Sequence, residues 1–109
     1  KAKIDCEKVF IEANDRKLNN IVLSDISELA EIAILSSLDR NINIIGIIGK
    51  ERKTFKGVTV YKNFTEIKNI EAILLTSVKS SQDRYNELLN NFNSSIILVP
   101  TILKVRNFK

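Results

Sequence analysis

Residues 44–48 read Ile44-Ile45-Gly46-Ile47-Ile48. The run is β-branched on either side of its glycine and shows no alternation with polar residues. Such a run suits a strand buried on both faces, and its glycine predicts a close approach by a neighbouring group. On the N-terminal side, the segment from about Ile26 to Leu38 carries Leu29, Ile32, Ala33 and Leu35 and reads as a helix. Asp25 followed by Glu28 gives that helix the form of a capping box. Before it, Ile21-Val22-Leu23 lies between Asn19-Asn20 and Ser24-Asp25 as a second buried strand. From about Ile4 to Leu18 a further helix is predicted, with Cys6, Val9, Phe10 and Ala13 forming one apolar stripe.

On the C-terminal side, Gly49 to Gly57 reads as a loop, Val58-Thr59-Val60 as a short strand and Phe64 to Ile67 as a helical turn. Ala72-Ile73-Leu74-Leu75 is another apolar strand. The helix predicted from about Ser81 to Asn91 places Tyr85, Leu88, Leu89 and Phe92 at amphipathic spacing. Ile96-Ile97-Leu98-Val99 closes the series before Pro100, and Ile102, Leu103 and Val105 suggest a packed tail. Two-sided apolar strands alternating with amphipathic helices predict a mostly parallel sheet with helices on each face. With right-handed crossovers this is an α/β, Rossmann-like three-layer domain spanning residues 1–109.

Composition narrows the chemistry. The chain has 109 residues, 44% hydrophobic and 28% charged, with 3 Gly and 1 Pro, which fits one globular domain and excludes a low-complexity or collagen-like chain. No apolar run approaches the roughly 18 residues of a spanning helix, so no membrane association is expected. The lone Cys6 cannot form an internal disulfide and reads as a small buried hydrophobe. With no His in the chain there is no imidazole base, no Ser-His-Asp arrangement and no His-ligated metal. The absence of Met from the sequence leads us to expect a piece of a longer protein.

In a parallel sheet of this kind ligands gather at the carboxyl ends of the strands. The first such turn is Ser24-Asp25-Ile26-Ser27-Glu28. It has none of the glycines that let a backbone approach a pyrophosphate, and Asp25 and Glu28 favour the helix dipole while repelling a phosphate. Ser24 and Asp25 remain candidate ligand contacts by position. After the strongest strand come Lys50, Arg52 and Lys53. Between Lys50 and Lys62 five cations meet one carboxylate, a net of +4 that equals the net charge of the whole chain. An anion site and a solvated loop are both compatible with that run. Thr76 and Ser77, with Ser80 and Ser81 behind them, stand where a strand meets its helix and could hold a ligand or cap the helix. No cofactor is called for by these residues, and no aromatic platform or recognition helix points to nucleic acid.

The run Ser27 to Leu38, S-E-L-A-E-I-A-I-L-S-S-L, resembles the G-D-L-A-E-I-A-x-L-S-A-L stretch of certain bacterial winged-helix transcriptional regulators. The similarity extends to Ile45-Gly46-Ile47-Ile48, to Phe55, Gly57 and Val60, to Thr76 through Gln82 with Tyr85, to Leu98 with Pro100, and to Leu103 with Val105. Cys6 and Phe10 fall on the family's C-x-x-x-F positions. The chain departs from the family at the first turn, where Y-G-A-G-D-L is replaced by residues without glycine, and after the second main strand, where Gly49 replaces an Asp.

The resemblance implies a Rossmann-like C-terminal domain, non-catalytic and cytoplasmic, that acts in regulation or oligomerisation. It also implies a homodimer, a small-molecule effector, and DNA contact through a winged helix outside this chain. The dimer surface is expected on the first helix or on the tail from Ile102 to Phe108. More distantly the chain is similar to nucleotide-sugar and dinucleotide-binding modules, which leaves two alternatives: a nucleotide or sugar-nucleotide sensor, and a degenerate NAD-dependent enzyme fragment. The enzyme would need a general acid or base titrating near neutrality, which the residues do not offer.

Overall fold

The computed structural model describes residues 1–106. It comprises α1 (Ala2–Asp15), β1 (Asn20–Leu23), α2 (Glu28–Ser37), β2 (Asn43–Ile48), β3 (Thr54–Phe55), β4 (Val58–Tyr61), β5 (Ala72–Leu74), α3 (Ser81–Leu88) and β6 (Ile97–Leu98). Single 3-10 turns lie at Phe64–Glu66, Ser94–Ile96 and Thr101–Leu103. The strands form one sheet in the order β3-β4-β2-β1-β5-β6, parallel throughout except for β3. Over the described residues the fold is therefore mixed α/β, with a six-stranded, mostly parallel sheet and three α-helices. It builds outward from β1 to β2 and β4, then crosses back to β5 and β6, so the direction reverses between β1 and β5.

Both faces of the sheet are covered because both sets of strand side chains are apolar. Cys6, Phe10 and Ala13 of α1 and Leu29, Ala30 and Ala33 of α2 pack with Ile21, Leu23, Leu74 and Leu98 on one face. Tyr85 and Leu88 of α3 pack with Ile73, Leu75 and Ile97 on the other. Complete burial of a side chain such as Phe10 or Leu74 contributes about 1.5–3 kcal/mol. A bulge adjusts β2 to this scheme. Ile21 pairs with Ile44 and Val22 with Gly46, leaving Ile45 as the extra residue. The added residue puts Ile47 on the same face as Ile44 and turns Gly46 toward the α3 side. There a Cβ on Gly46 would lie 2.8 Å from the Tyr61 ring, which is the close approach the glycine predicts.

Several boundaries differ from the sequence expectation, each for a local reason. Helix α1 ends at Asp15 rather than near Leu18, because Lys17 adopts φ 60° and the Lys17 and Leu18 N–H groups donate to the Asn14 and Ala13 carbonyls, a Schellman closure. Helix α2 starts at Glu28, and its N-cap is Ser27, whose hydroxyl accepts from the Ala30 N–H at 3.1 Å. Asp25 stands outside the helix and does not cap it. The stretch read as a loop before Gly57 contains β3, which pairs with β4 as a hairpin turned by Lys56 (φ 50°) and Gly57 (φ 85°). Helix α3 stops at Leu88, although Leu89 and Phe92 still pack beneath it. In the tail Leu103 and Val105 pack as expected, whereas Ile102 is exposed; Phe108 lies outside the described residues.

Candidate functional site

The loops leaving β1 and β5 meet where the sheet order reverses, and polar side chains tie them together. Ser24 and Thr76 are fully buried and Ser77 nearly so. The Ser24 hydroxyl accepts from the Thr76 N–H at 2.9 Å and lies 3.0 Å from the Ser77 hydroxyl. The Thr76 hydroxyl accepts from the Asp25 N–H at 3.0 Å and donates to the Asp25 carbonyl at 2.6 Å. Ser77 donates to the Asp25 carboxylate at 2.6 Å, and Ser27 donates to the Thr76 carbonyl at 2.7 Å. The Ser81 hydroxyl, at the start of α3, donates to the Ser77 carbonyl. These side chains are taken up by backbone groups, mostly of the facing loop, and by one another. The hydrogen bonds brace the two loops against each other.

Outside this brace, Asp25, Ser27, Glu28, Ser77 and Lys79 line an open groove of about 600 Å³. Its two carboxylates flank the start of α2, the position where a phosphate would need free N–H groups and no negative charge. A serine beside a carboxylate becomes a nucleophile when a base takes its proton, and the chain contains no imidazole for that role. Among the described residues no cluster of three or more His, Cys, Asp or Glu could hold a metal ion. Among the described residues no helix is long and apolar enough to cross a membrane.

The basic residues lie elsewhere. Lys50, with Asp25, Ile48, Lys62, Arg84 and Glu87, lines a groove of about 350 Å³ on the α3 side. Lys50, Arg52, Lys53 and Lys62 line a second groove of about 500 Å³ along β4, together with Gly49, Thr59 and Glu66. The structure thus groups Lys50, Arg52 and Lys53 with one another, groups Ser24, Asp25, Thr76 and Ser77 with one another, and joins the two sets only at Asp25. Two residues not singled out in the sequence, Lys62 and Arg84, complete the basic grooves. Arg84 donates to the Ser24 carbonyl at 3.2 Å, pairs with Glu87 at 3.1 Å, and lies over the Phe64 ring at 5.7 Å. The sequence signal for Arg84 was its place one turn into the helix after β5, facing the same strand ends as Asp25.

Cys6 is fully buried between α1 and the sheet. Burial, reinforced by the nearby Asp5 and Glu7 carboxylates, pushes its thiol up from the ordinary 9.0 to about 11, which keeps it protonated and unreactive at neutral pH.

No family model, curated protein or solved structure matches this chain.

Proposed function

We propose that the chain is a non-catalytic regulatory and oligomerisation domain of Rossmann-like form, which pairs with a second copy through the outer faces of α1 and α2. One observation carries this reading. Ile4 (56% exposed) and Ile11 (45%) project from α1 opposite its buried stripe, and Leu35 (60%) and Leu38 (75%) project from α2 and its C-cap in the same way. Both helices already bury a full apolar face against the sheet, so these four residues are surplus to the core. Apolar side chains grouped on one layer favour association.

The strand order supports the Rossmann-like assignment, and the engagement of the switch-point hydroxyls with backbone groups, the Asp25 carboxylate and one another supports a non-catalytic role. In the resembling regulators such a domain holds two winged helices at the spacing of two operator half-sites. The same arrangement is our reading for the protein to which this chain belongs, with DNA contact made outside it.

Light scattering on the purified chain tests the reading. The wild type is expected to elute at the mass of a dimer, and the pair Ile11→Lys with Leu35→Lys at that of a monomer. Both positions are exposed, so the substitutions are expected to change stability by no more than about 0.5 kcal/mol. Circular dichroism confirms that the variant is folded. A folded wild type that stays monomeric, or a variant as dimeric as the wild type, contradicts the assignment.

A further inference from the structure

Three cations from separate elements gather near the backbone of Gly49: Lys50 after β2, Lys62 after β4 and Arg84 on α3. The 350 Å³ groove they line shares Gly49, Lys50 and Lys62 with the adjoining 500 Å³ groove, to which Arg52 and Lys53 also belong. Three carboxylates share these grooves, Asp25 accepting from Ser77, Glu66 from the Lys62 N–H, and Glu87 pairing with Arg84, so five cations outnumber them and the joined lining stays net positive. Lys56, the other lysine of this segment, is paired with Glu31 at 3.3 Å. Lys50, Lys53 and Lys62 make no ion pair among the described residues. Gly49, immediately before Lys50, sits in a tight cradle, where a Cβ would lie 2.7 Å from Ile26 and 2.9 Å from Val60, so no larger residue fits there unless those side chains shift.

We propose that the joined grooves around Gly49 bind a small polyphosphate-type anion, with Lys50 and Lys62 as the central contacts and Arg84, held by Glu87 and the Ser24 carbonyl, at one end. A single phosphate would meet only one groove, whereas a chain of two or three phosphoryl groups reaches the cations on both sides of Lys50 and Lys62. The grooves have small-molecule dimensions, and carboxylates interrupt the row of cations that a duplex backbone would follow. The site meets the acidic groove at the start of α2 only at Asp25, and it does not depend on the proposed pairing of copies.

The test is a calorimetric titration of the chain with tripolyphosphate at low salt, compared with inorganic phosphate, a nucleoside triphosphate and a short DNA duplex. Tripolyphosphate and the nucleoside triphosphate are expected to bind alike, and inorganic phosphate more weakly. The pair Lys50→Gln with Lys62→Gln should weaken tripolyphosphate binding by about tenfold or more, with folding checked by circular dichroism. The pair Lys3→Gln with Lys8→Gln on α1 removes the same charge and should leave binding unchanged. Absence of tripolyphosphate binding, an equal loss from the α1 pair, or binding of the duplex alone would overturn the proposal.

Discussion

The Thr76 hydroxyl both accepts from and donates to the backbone of Asp25, so Thr76→Val leaves two partly or fully buried peptide groups without partners while keeping the side chain's shape. The expected cost is about 1–3 kcal/mol, read as a lower urea midpoint at unchanged slope. A wild-type midpoint would mean that the brace between β1 and β5 contributes little. Cys6 gives a pH signature. Its pKa is about 11 in the folded chain against an ordinary 9.0, so between these values the folded state holds the proton more tightly. Stability is therefore fully present below about pH 9 and falls as pH rises toward 11, by up to about 2–3 kcal/mol. Cys6→Ala removes this component, and comparing the alkaline denaturation of the two chains measures it. The candidate hydroxyls were legible as residues at strand ends, but their use was not. Whether Thr76 faces a ligand or a backbone depends on how closely the β1 and β5 loops approach, which no local pattern encodes.

Among the elements, the end of α1 offers a gain in stability. Lys17 holds the left-handed position of a Schellman closure, which costs a side-chain-bearing residue about 1 kcal/mol relative to glycine. Lys17→Gly is expected to raise the thermal midpoint by the equivalent of up to about 1 kcal/mol, offset in part by glycine's greater freedom in the unfolded chain. A lower midpoint would argue against the left-handed closure. Strands and helices with full apolar faces were readable because their periodicity is dictated by burial. The hairpin of β3 and β4 was not read, since a two-residue strand has no periodicity; its available signal was Lys56-Gly57 set between Thr54-Phe55 and Val58-Thr59-Val60. The helix cap was misplaced by two residues for a related reason. Asp25 and Ser27 both suit a cap, and the choice was made by Thr76, whose carbonyl draws the Ser27 hydroxyl into position.

For the whole molecule, the alternation of two-sided strands and amphipathic helices carried the mixed α/β class and the largely parallel sheet. It could not show that Lys62 and Arg84 come to the same groove as Lys50, because that follows from the strand order and from the docking of α3. Nor could it show which apolar residues remain outside once both faces of the sheet are filled. Leu35, one of the apolar residues that mark α2 in the sequence, lies on the surface, while Ser36 and Ser37 turn inward. That reversal, together with Ile4, Ile11 and Leu38, leaves four large apolar side chains on the outside of the α1–α2 layer among exposed charged residues such as Lys8 and Asp15, and the assembly reading rests on them. Native mass spectrometry of the purified chain tests it most directly, since stoichiometry and any retained ligand are read from one spectrum. The account predicts a principal species at twice 12.4 kDa. A spectrum holding only the 12.4 kDa monomer across the accessible concentration range would contradict it.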